Sequence, residues 1–405
     1  MGLSPVSWSW AGVACGLLSF AILFPPDPAL RFTSPPFKAP TEPDGYVSWR
    51  KAADGKRYGR QTVHIKSGEG ELYAWLYLPT EARRRVPIYI ICHGLGALMV
   101  TGSAPVAEKV QEKGGAALTF DYRMWGFTAG EPRQIIEPGM QLQDLRAVIE
   151  HVINTDGFGG LVNPADIHLF GTSYAGGHVL VTAAQFAEEN NARLLRSVRS
   201  ITSVVPLLDG KAQLRKALQQ RPFFRALRYL AAILADLLRQ AAGHRVQPVY
   251  VQVGGSRDDS ALPAIELKDT EFDIWKDRAI ISSATGSWSN SLAARSLFWT
   301  SQYRPIERLP SIRTPTLLVK AENDGTCIPE LTDEAVEILN AATGSSDAAS
   351  EAAPLAELLT LPINHFEVYV PPYLDRIVEA CMDFGRRHGG SVPVSDHEPR
   401  TAAAA

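Results

Sequence analysis

Residues 167–177 read Ile167-His168-Leu169-Phe170-Gly171-Thr172-Ser173-Tyr174-Ala175-Gly176-Gly177. Ile167–Phe170 is a short apolar run of the kind that forms a buried strand, and Ala175–Glu189 has helical character. Ser173 therefore falls on a strand-to-helix turn. The small residues Gly171, Ala175, Gly176 and Gly177 around it let the backbone fold tightly enough to expose the serine oxygen. Ala175 stands where the usual G-x-S-x-G pattern has a second glycine, and smallness is the property required there. A glycine-rich turn without chemistry has the same composition, so the assignment of Ser173 as a nucleophile depends on what lies elsewhere in the chain.

Outward from this turn, strand and helix signals alternate. Gln61–Lys66 and Glu71–Leu78 read as an opening hairpin, and Val86–Cys92 and Ala116–Tyr122 as buried strands. Gln141–Asn154 carries Leu142, Leu145, Val148, Ile149 and Val152 on one helical face. Further strands are expected at Val198–Leu208, Pro315–Lys320 and Leu358–Pro362, with a closing helix at Tyr373–Arg387. Strands separated by helices imply βαβ units. The expected fold is an α/β-hydrolase fold, a mostly parallel sheet with helices on both faces. About a hundred residues separate Leu208 from Pro315, far more than an ordinary connection. This insertion, 209–314, opens with the Leu-, Ala- and Arg-rich stretch Ala212–Ala242 and is expected to be a helical cap over the site. The expected catalytic domain is 61–390, after a Pro-rich connector through residue 60. Ala341–Pro354 reads as a flexible loop and 391–405 as a disordered tail.

Bulk properties narrow the function. The net charge of −3 gives no strong basic field for nucleic acid, so no nucleic-acid partner is expected. Four widely separated cysteines (Cys15, Cys92, Cys327, Cys381) show neither a CxxC pair nor metal-ligand spacing. No Gly-Lys-Ser/Thr follows a glycine-rich loop, and Gly157–Gly160 precedes a strand where a dinucleotide site would follow one. No cofactor and no metal are expected. Residues 1–26 carry no charged side chain, and Trp8–Phe24 is nearly all apolar. This leader is expected to anchor the chain in a membrane with the catalytic body facing the cytoplasm, while its retention, and secretion, stay open.

A serine hydroxyl needs a base and an orienting acid, and in this fold they follow it in the order serine, acid, histidine. Asp324 follows the Pro315–Lys320 strand in Glu322-Asn323-Asp324-Gly325, and His365 follows the last strand in Asn364-His365-Phe366. Glu322 and Asp209 are rival acids. His93, His168 and His178 lie near strand ends or the elbow, and the last two read as structural. An oxyanion hole needs two backbone N–H groups. Tyr174 and Leu95 are the candidates, Leu95 in the turn His93-Gly94-Leu95-Gly96.

The segments Leu118–Val152 and Gly171–Leu180 carry a more specific pattern. Arg123-Met124-Trp125-Gly126, Pro132-Arg133-Gln134 and Gly171-Thr172-Ser173-Tyr174 resemble the fungal polyketide transferase and thiohydrolase family of α/β-hydrolases. Trp288-Ser289-Asn290, Tyr303-Arg304-Pro305, Asp324 and His365-Phe366 fit the same pattern, over about His64 to Arg387. The resemblance implies a triad carried onto Ser173, Asp324 and His365. It implies as donor a polyketide thioester on the acyl carrier domain of a polyketide synthase, and as acceptor water or an alcohol. The leader and Gly157–Gly160 depart from the pattern. The same triad would equally serve a carboxylic-ester hydrolase or a peptidase.

Overall fold

The computed structural model describes residues 33–52, 55–80, 85–243, 246–256, 262–342 and 354–389. The apolar leader, most of the Ala341–Pro354 loop and the tail lie outside the described residues. Among the described residues no helix is long and apolar enough to cross a membrane.

Nine strands form one sheet: β1 (Val47–Lys51), β2 (Arg57–Ser67), β3 (Gly70–Tyr77), β4 (Val86–Cys92), β5 (Ala116–Phe120), β6 (Val162–Thr172), β7 (Val198–Val204), β11 (Thr316–Ala321) and β12 (Ala356–Leu361). Their order is β1-β2-β3-β5-β4-β6-β7-β11-β12. The β1/β2, β2/β3 and β3/β5 pairs are antiparallel, and every pair from β5/β4 to β11/β12 is parallel. The pleat sends alternate residues of β4 to opposite faces. Ile88, Ile90 and Cys92 join helices α2 (Pro138–Asn154) and α3 (Tyr174–Glu188) in one core. Tyr89 and Ile91 join α1 (Ala104–Glu112) and α8 (Tyr373–His388) in the other. The parallel centre is thus covered on both sides, as its unbroken apolar strands require.

Three expectations need correction. The connector expected through residue 60 contains β1 and the start of β2. β1 is an edge strand whose exposed Trp49 and charged Arg50 and Lys51 hide it from an apolar count. The strand expected to end at Leu208 ends at Val204. There the chain turns through Val205 (φ 42°) into Pro206, which lacks an N–H for the ladder, and the Leu207 amide instead donates to Ser173 O at 3.0 Å. The cap is mixed rather than helical. It holds α4 (Gly210–Gln220), α5 (Phe223–Ala241), α6 (Asp269–Ala284) and α7 (Arg295–Gln302). It also holds a small sheet of β8 (Tyr250–Ser256), β9 (Pro263–Leu267) and β10 (Leu292–Ala293), in the order β10-β8-β9. Val249, Val251 and Val253 alternate with Tyr250 and Gln252, a strand pattern that the helical composition of the insertion masks.

The motif residues that carry the family resemblance act largely as joints of this architecture. Arg123 pairs with buried Asp144 at 2.6 Å. Arg133 donates to the carbonyls of Gly126 (2.7 Å) and Thr128 (2.5 Å). Gln134 bonds Ser289 through both its amide nitrogen and its oxygen, and Asn290 Oδ1 receives the Val253 and Gly254 amides. The Gln134 bonds fasten the cap to the body, while the Asn290 bonds hold the cap together and the Arg123 and Arg133 bonds brace the body.

Candidate active site

Ser173 sits between β6 and α3 with φ 59° and ψ −119°, a conformation that costs a non-glycine residue about 1–3 kcal/mol. Its surroundings hold it there. Ser173 N donates to Val204 O at 2.8 Å, and Ser173 O receives the amides of Gly176 and Leu207. Only a residue without a side chain fits at 171, where a Cβ would lie 2.1 Å from Ala175 O.

Asp324 lies in the turn after β11, and His365 in the turn after β12. Their strands are parallel neighbours, so both turns emerge at the sheet edge where β6 delivers Ser173. His365 Nε2 is 2.9 Å from Ser173 Oγ, and His365 Nδ1 is 2.8 Å from Asp324 Oδ2. The other Asp324 oxygen accepts the amides of Thr326 (2.8 Å) and Cys327 (2.7 Å), which fixes the carboxylate's rotation. Asn364 Oδ1 in turn receives the amides of Phe366 and Glu367, bracing the histidine turn. All three side chains are buried.

The His93–Gly96 turn lies against the serine, since a Cβ on Gly94 would stand 3.0 Å from Ser173 Cβ. Trp288 Nε1 donates to Gly96 O at 2.8 Å and pins this turn from the cap. Tyr174 is the first residue of α3, so its amide is among those with no intrahelical acceptor. Leu95 lines the same cavity as Ser173 and Tyr174.

The rival groups are engaged elsewhere. Glu322 is exposed. Asp209 pairs with Arg304 at 2.8 Å and caps α4. His168 bonds Ser200 Oγ at 2.8 Å. His178 is held between Gln141 (2.9 Å) and Tyr303 (2.8 Å), and burial pushes its pKa down to about 3. Burial likewise takes His93 down to about 4. Both therefore stay neutral.

Two cavities meet at Ser173. The larger, about 480 Å³, runs under α4 and α5 between Leu214, Leu218, Leu227, Leu230 and Ile233, and falls in the ~300–1,000 Å³ range of small-molecule sites. The smaller, about 50 Å³, lies beside His365 under α6. Ser173, Leu95 and Ile265 line both.

Sequence reasoning missed Cys327 and the α6 residues Glu271, Trp275 and Arg278. Cys327 is buried in the larger cavity, where burial raises its pKa well above the usual thiol value and keeps it protonated. Asp324, Cys327 and His365 place three donor atoms within 4.8 Å of one another, the cluster among the described residues with metal-binding potential. The hydrogen bonds of His365 engage both its nitrogens. The α6 residues belong to no motif, and only the folded cap brings them to the site.

No protein-family model matches the chain. It is 27% identical over 325 residues to the quorum-quenching protein AidA of Acinetobacter baumannii (strain MDR-ZJ06), covering 80% of this chain and 94% of AidA. It is 29% identical over 174 residues to the thiohydrolase aneE of Aspergillus aculeatus, 42% of this chain and 49% of that protein. It is 22% identical over 273 residues to the polyketide transferase ATR5 of Stachybotrys chlorohalonatus, 67% of this chain and 82% of ATR5. In three dimensions it is similar to the α/β hydrolase GrgF from Penicillium sp. sh18, with a TM-score of 0.60, 20% identity, and coverage of 82% of this chain and 99% of that one. The chain is an enzyme of the α/β-hydrolase fold, with distant homologues among thiohydrolases and polyketide transferases.

Proposed function

We propose that the protein is a serine acyl-transfer enzyme that takes a polyketide acyl chain from a carrier-bound thioester. The observation that carries this reading is the continuous Ser173–His365–Asp324 hydrogen-bond chain opening on a 480 Å³ apolar cavity. Ser173 Oγ attacks the thioester carbonyl as His365 Nε2 takes its proton. Asp324 holds the imidazolium through Nδ1. The Leu95 and Tyr174 amides stabilise the tetrahedral oxyanion. The thiol leaves with the proton from Nε2, and the acyl group remains on Ser173. His365 then deprotonates water or an alcohol, which releases an acid or an ester. The acyl chain lies in the larger cavity, and an acyl carrier domain presents the thioester. The thiohydrolase and polyketide transferase relatives support this donor.

A second reading, hydrolysis of a carboxylic ester or a peptide, uses the same residues. The relative that aligns over more of this chain than either of the other two is named for quorum quenching and not for thioester chemistry, which supports a donor other than a thioester. A parallel assay of a carrier-bound polyketide thioester, a p-nitrophenyl ester and a dipeptide amide separates the readings. The account expects the highest kcat/KM for the thioester. Turnover of the amide alone would defeat it.

A further inference from the structure

Arg278 lines the smaller cavity beside Ser173 and His365. It reaches the site from α6, one and two turns beyond Trp275 and Glu271, on the face that α6 turns to the active site. One guanidinium nitrogen donates to Tyr369 O at 3.0 Å and another to Thr101 O. The guanidinium also stacks over the Tyr369 ring, 4.3 Å from its centroid. Arg278 thus meets two neutral carbonyls and a ring face, and among the described residues no carboxylate pairs with it. Arg278 is half-buried, and a cation drawn even partly out of water is normally paired, because desolvation is costly without an opposite charge. Two of the five guanidinium N–H groups are committed to carbonyls, which leaves donors for a further acceptor.

We infer that the smaller cavity is an anion subsite, in which Arg278 receives the carboxylate of a short hydroxy acid on the accepting or leaving side of the acyl bond. This rests on the acyl-transfer reading of Ser173. The volume sets the size. At roughly 10–15 Å³ per water-sized group, 50 Å³ holds only about three to five such groups, enough for a carboxylate with one or two carbons. The larger cavity, nearly ten times as big, takes the acyl chain. In transfer, the hydroxyl of the hydroxy acid gives its proton to His365 and attacks the acyl carbon on Ser173. The bond to Ser173 Oγ breaks, and Oγ recovers the proton from Nε2. Hydrolysis of the same ester runs through the reverse of this step with water as final acceptor.

The test compares a pair of decanoyl esters, of glycolate and of glycolamide, which differ only in carboxylate against amide. Wild type is expected to favour the glycolate ester by at least about tenfold in kcat/KM, as a site built around a charge-assisted pair discriminates. Arg278→Met is expected to lose that preference, and Arg278→Lys to keep part of it. Thermal shifts with free glycolate and glycolamide, read on wild type, Arg278→Met and Ser173→Ala, measure binding without chemistry. Glycolate should raise the Tm of wild type and Ser173→Ala but not of Arg278→Met. Equal use of both esters by wild type, or a preference retained in a folded Arg278→Met, overturns the subsite and leaves the acyl-transfer reading standing. Arg278-dependent glycolate binding with neither ester acylating Ser173 has the opposite meaning.

Discussion

At the scale of the residue, Asp324 does two things at once. One carboxylate oxygen takes two backbone amides and the other faces His365 Nδ1. The turn thus fixes the orientation of the carboxylate before any substrate arrives, and through it the imidazole tautomer that leaves Nε2 able to accept from Ser173. Asp324→Asn keeps the shape and replaces the acceptor oxygen facing His365 by an amide group, which favours the wrong tautomer. The expected result is a loss of about 10³–10⁴-fold in kcat with KM and Tm little changed, read by steady-state kinetics and thermal melting. A loss below tenfold would mean that Asp324 does not orient His365.

At the scale of the element, what was legible in the sequence followed from periodicity. The central strands are buried on both faces, so Val86–Cys92 appears as an apolar run whatever its neighbours. The elbow was legible because its strain demands small residues at fixed places, and a Cβ at 171 has no room. Asp324 and His365 were found by order and by position after strands. Hidden elements have physical causes too. β1 is a solvent-facing edge strand and has polar residues. β8 is buried within an insertion whose helices dominate its composition. Arg278 could not be found at all, since only the packing of α6 places it beside Ser173. The Gly157–Gly160 departure has a backbone reason: Asp156 to Gly160 all have positive φ, a left-handed turn that favours glycine.

At the scale of the whole molecule, burying neutral histidines behind the site ties stability to pH. His93 falls to about 4 and His178 to about 3, both from the ordinary 6.5 and both through burial. A depressed folded pKa gives stability that is fully present above 6.5 and is lost as pH falls, at about 1.4 kcal/mol per unit per group. Between pH 6.5 and 5 that is about 2 kcal/mol for each. Asp121, raised by burial from 3.8 to about 6, works the other way and returns about 1 kcal/mol between pH 6 and 5. His93 and Asp121 lie 3.6 Å apart, so their contributions are shared, and the two histidines set the direction: a lower urea midpoint at pH 5 than at pH 6.5. An unchanged or higher midpoint would contradict it. The central claim, that this fold and its cap exist to form an acyl-enzyme on Ser173, has a direct test. Wild type and Ser173→Ala are treated with a fluorophosphonate probe, and intact mass and peptide mapping are read. The account predicts one adduct on wild type, located at Ser173, and none on a folded Ser173→Ala protein. Equal labelling of the two proteins would contradict it.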